Sequence, residues 1–120
     1  MNGNKFILDT NAVLYLLGGK IVATALPNGE FFISVITELE LLSYPKLSVA
    51  EKQTVKKFLN EISIVELSQE IRKETVLIRK KYSLTLPDSI IAATAIVLNA
   101  SLVTRDKKLI SIASLKTTVL

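Results

Sequence analysis

From Ser89 to Leu98 the chain carries no charge. The run reads Ser89–Ile90–Ile91–Ala92–Ala93–Thr94–Ala95–Ile96–Val97–Leu98, between Asp88 and Asn99. A helix over Asp88–Asn99, with Pro87 near its first position, suits this segment. Such a helix is apolar nearly all round, so both of its flanks must be covered. It is too short to cross a bilayer, and no uninterrupted span near 20 apolar residues occurs elsewhere. The chain therefore has to bury this helix between a sheet and neighbouring helices.

Elements that can surround it alternate along the sequence. Lys5–Asp9, Glu30–Val35, Ile62–Val65 and Ser101–Thr104 read as strands, and Thr117–Leu120 as a fifth strand at an edge. Ala12–Leu17, stopped by Gly18–Gly19, and Ile21–Leu26, stopped by Pro27–Asn28–Gly29, read as short helices. Ser34 suits the cap of a helix that has Glu38 in its first turn and runs by Leu39, Leu41 and Leu42 to Ser43–Tyr44–Pro45. Ser48 and Glu51 have the spacing of a capping box and open a helix ending at Asn60–Glu61. Ser68 caps another, with Ile71, Thr75, Ile78 and Tyr82 along one stripe and cations toward its end. Lys107–Leu109 starts a short helix or turn. Strands alternating with helices predict an α/β fold: a mainly parallel sheet of four to five strands, covered on both faces, as one domain over residues 1–120. The run Val13–Leu17 is apolar nearly all round, so one side can pack on the sheet while the other calls for a second helix or a second protein.

Composition removes several chemistries. Cysteine and histidine are absent, which excludes disulfide scaffolds, thiolate nucleophiles, zinc fingers and histidine bases from this chain. A cytoplasmic setting fits the absence of cysteine. Met1–Lys5 lead into a strand without the pattern of a signal peptide. Fifteen basic and 11 acidic residues leave a net charge of +4, a weak pointer to nucleic acid. Neither a P-loop nor a dinucleotide-binding glycine pattern follows the first strand.

The acids are more informative. Asp9, Asp88 and Asp106 are the only aspartates, and each stands at an expected element boundary. Asp9 ends a strand that leads into Thr10 and Asn11, at the carboxyl edge where open α/β sheets take their ligands. Parallel strands put the ends carrying Asp9, Ser34 and Thr104 on one rim. Glu38, Asp88 and Asp106 can then face the same crevice as Asp9. Carboxylates gathered this way repel unless a cation or protons intervene, and oxygen ligands suit Mg2+ or Mn2+. Thr10 and Asn11 can orient Asp9 or a coordinated water, Ser34 can do so or simply cap its helix, Thr104 can hold the turn around Asp106, and Arg105 can touch a phosphate. Each acid also has a plain alternative as a helix cap or first-turn acid.

Asp9–Thr10–Asn11, Glu38, Leu86–Pro87–Asp88–Ser89–Ile90–Ile91–Ala92–Ala93–Thr94–Ala95 and Val103–Thr104–Arg105–Asp106 resemble the four signatures of the PIN domain, in the right order. Within it the chain is most similar to toxin ribonucleases of the VapC type. The resemblance implies a three-layer α/β/α sandwich. It maps the family's metal-binding acidic quartet onto Asp9, Glu38, Asp88 and Asp106, with Mg2+ or Mn2+ as cofactor. It also implies an endoribonuclease that leaves a 5′-phosphate and a 3′-hydroxyl, a small antitoxin partner and a homodimer; no membrane partner is expected, because no apolar span near 20 residues occurs. Rival readings are a nuclease of RNA processing or of DNA outside a toxin system, and a catalytically silent binding module. An aspartyl phosphatase is disfavoured because Asn11 stands where it would want a second aspartate.

Overall fold

A computed structural model describes residues 4–120. Met1–Gly3, and with them most of the segment compared with a signal peptide, lie outside the described residues. The strands are β1 (Lys5–Leu8), β2 (Glu30–Ser34), β3 (Ser63–Val65), β4 (Ser101–Thr104) and β5 (Thr117–Val119). The helices are α1 (Thr10–Leu17), α2 (Val35–Leu42), α3 (Val49–Glu61), α4 (Gln69–Lys81), α5 (Leu86–Val97) and α6 (Lys107–Ile110). The strands form one sheet in the order β3-β2-β1-β4-β5, and every pairing is parallel. Phe6 lies beside Phe31 and Ser101, which registers β1 against both neighbours. The fifth strand expected at an edge is there, shortened to three residues.

Alternation along the central strands divides the interior in two. Ile7 and Leu102 point to one face, where Ile71 and Ile78 of α4, Ile91 and Ala95 of α5 and Leu109 of α6 cover them. Phe6, Leu8, Ile33 and Val103 meet Ala12 and Val13 of α1, Leu41 of α2 and Val55 of α3 on the other. The result is the expected three-layer α/β/α sandwich. Helix α5 occupies the central place that its uncharged sequence demands: Ser89 through Ala95 are all buried. Its hydroxyls bond within the helix, Ser89 to the Thr85 carbonyl at 2.8 Å and Thr94 to the Ile90 carbonyl at 2.7 Å. Small residues at Ala92, Ala93 and Ala95 let this helix lie against sheet and α4 together.

Several boundaries move for identifiable reasons. Helix α1 begins at Thr10 rather than Ala12, because Asp9 caps it. Helix α5 begins at Leu86, with Thr85 as cap and Pro87 in the first turn, and stops at Val97. Val35 belongs to α2 rather than to β2, since Ser34 accepts from the Ile36 N–H at 3.1 Å. Ile62 ends α3 instead of starting β3. The helix expected over Ile21–Leu26 reduces to a 3-10 turn at Ala23–Ala25. That segment has no buried residue in its turn, so no core contact extends it. At Gly29 the chain enters β2 so close to β1 that a Cβ would collide with the Asn4 carbonyl and the Phe6 ring. Glycine is needed there for close approach rather than for a turn.

Candidate active site

At the carboxyl ends of the strands lies a cleft of about 210 Å³, lined by Asp9, Thr10, Asn11, Leu14, Glu40, Tyr44, Asp88 and Asp106. Its acids arrive from four separate segments. Asp9 follows β1 and is 5% exposed. Its Oδ1 accepts from the Ala12 N–H at 2.7 Å, while its own N–H donates to the Val103 carbonyl at 3.3 Å. One residue thereby joins β1, β4 and α1 and still presents carboxylate oxygen to the cleft. Asp88 stands in the first turn of α5, its N–H bonded to the Thr85 hydroxyl at 3.3 Å. Asp106 caps α6 by accepting from the Lys108 N–H at 2.9 Å. The buried Thr104 hydroxyl accepts from the Asp106 N–H at 2.9 Å and holds that turn.

The fourth acid is Glu40. Its Oε1 accepts from the Thr10 hydroxyl at 2.6 Å. Thr10 Oγ1 lies 3.0 Å from Thr37 Oγ1. Because the single Thr10 proton goes to Glu40, Thr37 is the donor in that second bond. A chain of hydroxyls running from the fully buried Thr37 therefore orients the Glu40 carboxylate. Glu38, the acid expected from the sequence, does not line the cleft. Two positions along a helix rotate a side chain by about 200°. The two glutamates of α2 therefore point in opposed directions, and only one can face Asp9. Of the three leucines of α2, Leu41 is buried, whereas Leu39 and Leu42 are 54% and 63% exposed. Thr37, Glu40, Leu41 and Tyr44 follow the spacing of a single stripe, the one signal that marks Glu40 in the sequence.

The supporting residues separate. Thr10 and Asn11 line the cleft. Ser34 is buried and caps α2 without lining it. Arg105 is exposed, with its guanidinium 4.9 Å from the Tyr15 ring centre. Leu14 and Tyr44 complete the wall and carried no mark as site residues in the sequence.

Burial raises the Asp9 carboxyl above the ordinary carboxylate range. The Thr104 hydroxyl and the Ala12 N–H oppose the rise, and the charges of Asp88 and Asp106 add to it. Asp88 is raised in the same way, first by burial and then by Asp106 and Glu40, with Thr85 and Lys108 acting against. These acids sense one another, so a cation among them would relieve a repulsion already present. All the charged donors are carboxylates, the set preferred by a hard divalent ion. As the side chains lie, no group of three or more acidic side chains among the described residues is arranged to hold an ion. The fit is to an ion met through one or two carboxylates and retained water, rather than to a closed cage.

A family profile for the PIN domain matches residues 6–115. A toxin-antitoxin complex from Klebsiella pneumoniae contains a chain 32% identical, matched over 95% of this chain and 94% of that one, with a TM-score of 0.75. VapBC2 from Rickettsia felis, bound to a DNA fragment from its promoter, matches at 23% identity over 97% and 98% of the two chains, with a TM-score of 0.83. DNA-bound VapBC from Salmonella typhimurium matches at 22% identity over 97% and 98%, with a TM-score of 0.82. The last two establish likeness of fold. No curated protein matches the sequence.

Proposed function

The chain belongs to the PIN-domain family, and on that premise we propose that it is a metal-dependent endoribonuclease, the toxin of a two-protein toxin-antitoxin pair. One observation carries the reading: Asp9, Glu40, Asp88 and Asp106, far apart in sequence, line a single cleft at the carboxyl rim. In this proposal residues 1–120 form one nuclease domain, supported by the family match over residues 6–115. Asp9, Asp88 and Asp106 would hold Mg2+ or Mn2+, one or two of them directly and the rest through retained water, and Glu40 takes the part that the sequence suggests for Glu38. When bound, the ion supplies a Lewis acid for the phosphodiester and a counter-charge for the carboxylates.

The remaining chemistry belongs to the chain. Glu40, oriented by Thr10 and Thr37, accepts a proton from the attacking water. Water oxygen adds to phosphorus as the P–O3′ bond breaks, and the departing 3′ oxygen takes a proton from solvent, which leaves a 5′-phosphate and a 3′-hydroxyl. The Ala12 N–H fixes Asp9, and Thr104 fixes the turn that presents Asp106. No covalent nucleophile is required.

The Klebsiella pneumoniae relative supports an antitoxin partner. So does an apolar groove of about 560 Å³, whose lining includes Leu8, Leu16, Leu26, Phe31 and Phe58. Val13 is fully buried in the core, so within Val13–Leu17 it is Leu16 that reaches the groove. On the opposite face of the sheet, exposed Val76 and Leu77 of α4 support contact with a second copy of the chain. The proposal sets the protein in the cytoplasm with its RNA substrate. Among the described residues no helix is long and apolar enough to cross a membrane.

The test is cleavage-site mapping on total RNA with Mg2+ or Mn2+, beside chelator and Asp9→Asn controls. Cleavage that needs the metal and disappears in the folded variant is the expected result. Full activity from folded Asp9→Asn, or cleavage of DNA alone, would sink the proposal.

A further inference from the structure

We propose that Tyr15, Lys20 and Arg105 form a phosphate-binding subsite beside the acidic cleft, holding the RNA backbone next to the scissile bond. The inference rests on the ribonuclease reading and assigns residues that the acidic constellation leaves unused.

Local structure builds this cluster from two turns. Helix α1 ends at Gly18–Gly19, and Gly19 has a φ of +78°, in the left-handed region. The Gly19 N–H donates to the Leu16 carbonyl at 3.3 Å and the Lys20 N–H to the Tyr15 carbonyl at 2.9 Å. This paired closure of the helix end folds Lys20 back over the side chain that precedes it by five residues. The Lys20 ammonium lies 5.5 Å from the Tyr15 ring centre. Arg105 comes from the other turn, the exit of β4 held by Thr104, and its guanidinium lies 4.9 Å from the same centre. The ring is half-buried, whereas both cations are exposed.

Position and charge give the cluster its meaning. Arg105 immediately precedes Asp106, and Tyr15 immediately follows Leu14; both neighbours line the cleft. A tyrosine face attracts cations, so the ring draws both heads toward it. Both cations lie within 5.5 Å of one ring centre, so positive charge gathers around that ring, and an anion offsets it. The cleft itself, walled by acids, repels a polyanion. A preorganised positive subsite beside it supplies the grip that the cleft lacks, and a phosphate of single-stranded RNA is the anion that matches.

The experiment measures binding of a single-stranded oligoribonucleotide to the cleavage-silent Asp9→Asn protein across a range of salt. Adding Arg105→Ala and Lys20→Ala should raise Kd by about tenfold and reduce the slope of log Kd against log salt by about 0.7. In the otherwise native enzyme the same pair should raise KM by a similar factor while kcat changes less than about twofold. Tyr15→Leu should lose part of the binding and Tyr15→Phe should restore most of it, because phenylalanine keeps the ring face. Unaltered Kd and salt slope in the double variant would overturn the subsite while leaving the nuclease standing. Loss with Tyr15→Leu alone, and none with the cations removed, would overturn the phosphate assignment in favour of base stacking. If the parent protein neither binds nor cleaves RNA, the ribonuclease reading falls first and the subsite with it.

Discussion

At the amino ends of the strands a cavity of about 700 Å³ opens, lined by residues that include Lys5, Glu30, Asn99, Ser101 and Lys116; the acidic cleft at the carboxyl ends encloses about 210 Å³. The larger space has the weaker chemistry. Its charges are of both signs, and the Lys116 ammonium is already bonded to the Asn99 side-chain oxygen at 2.9 Å. Ser101 and Thr118 hydroxyls likewise satisfy each other at 2.8 Å. At the carboxyl rim the charges that line the cleft share one sign, and burial first, with those charges adding to it, raises the carboxyls of Asp9 and Asp88. Unrelieved electrostatic cost, more than volume, marks the rim that has work to do.

The contrast follows from parallel topology. Every strand here runs the same way, and the carboxyl ends of β1, β2, β3 and β4 each lead toward the start of a helix. Asp9, Ser34 and Asp106 cap α1, α2 and α6 directly after β1, β2 and β4. Unpaired N–H groups and the positive helix ends converge there and offset part of the charge on the acids. The amino rim receives helix ends and chain entries instead. Its tightest feature is the approach of Gly29 to β1, a packing constraint.

If the rims differ in this way, substitutions should sort by rim. Beyond the Asp9→Asn control, the largest effect is expected from Asp88→Asn, which should cut RNA cleavage by about 10²–10³-fold with the fold intact. Lys116→Ala at the other rim should stay within about twofold of the parent, since it touches none of the acids. Equal losses from the two would erase the distinction. Next comes Gly29→Ala, which should cost about 1–3 kcal/mol in urea unfolding while sparing the rate per folded molecule. A loss of rate without loss of stability would assign function to the amino rim. A smaller difference separates the two glutamates of α2: Glu40→Gln should slow cleavage by about tenfold or more, and Glu38→Gln should leave it near the parent value. The reverse order would return the role to Glu38.

The smallest effect concerns pH, read in a chelator by thermal unfolding. The raised Asp9 carboxyl means that the folded state binds more protons than the unfolded one. Stability from this group is therefore present at low pH and lost as pH rises from the ordinary carboxylate range through the raised value. Relative to Asp9→Asn, the parent protein should lose stability across that window. A parent that gains stability there would contradict the burial cost assigned to Asp9.

What sequence alone determined was local and periodic. The uncharged run at Ser89–Leu98 required a covered helix, and the alternation of strands with helices required a parallel sheet with two covered faces. Asp9, Asp88 and Asp106 were legible because each stands at an element end, and parallel strands send such ends to one rim. The phase of α2 was not legible in the same way. Leu39 and Leu42 look like core, yet only contact with α1, α3 and α5 decides that Thr37 and Leu41 turn inward and Glu40 toward Asp9. The meeting of Lys20 and Arg105 over Tyr15 was likewise invisible, because no spacing links positions 20 and 105. Residue type and periodicity fix what an element is, whereas rotation about its own axis is set by the surfaces it packs against. Tertiary packing therefore decided which glutamate joins the three aspartates.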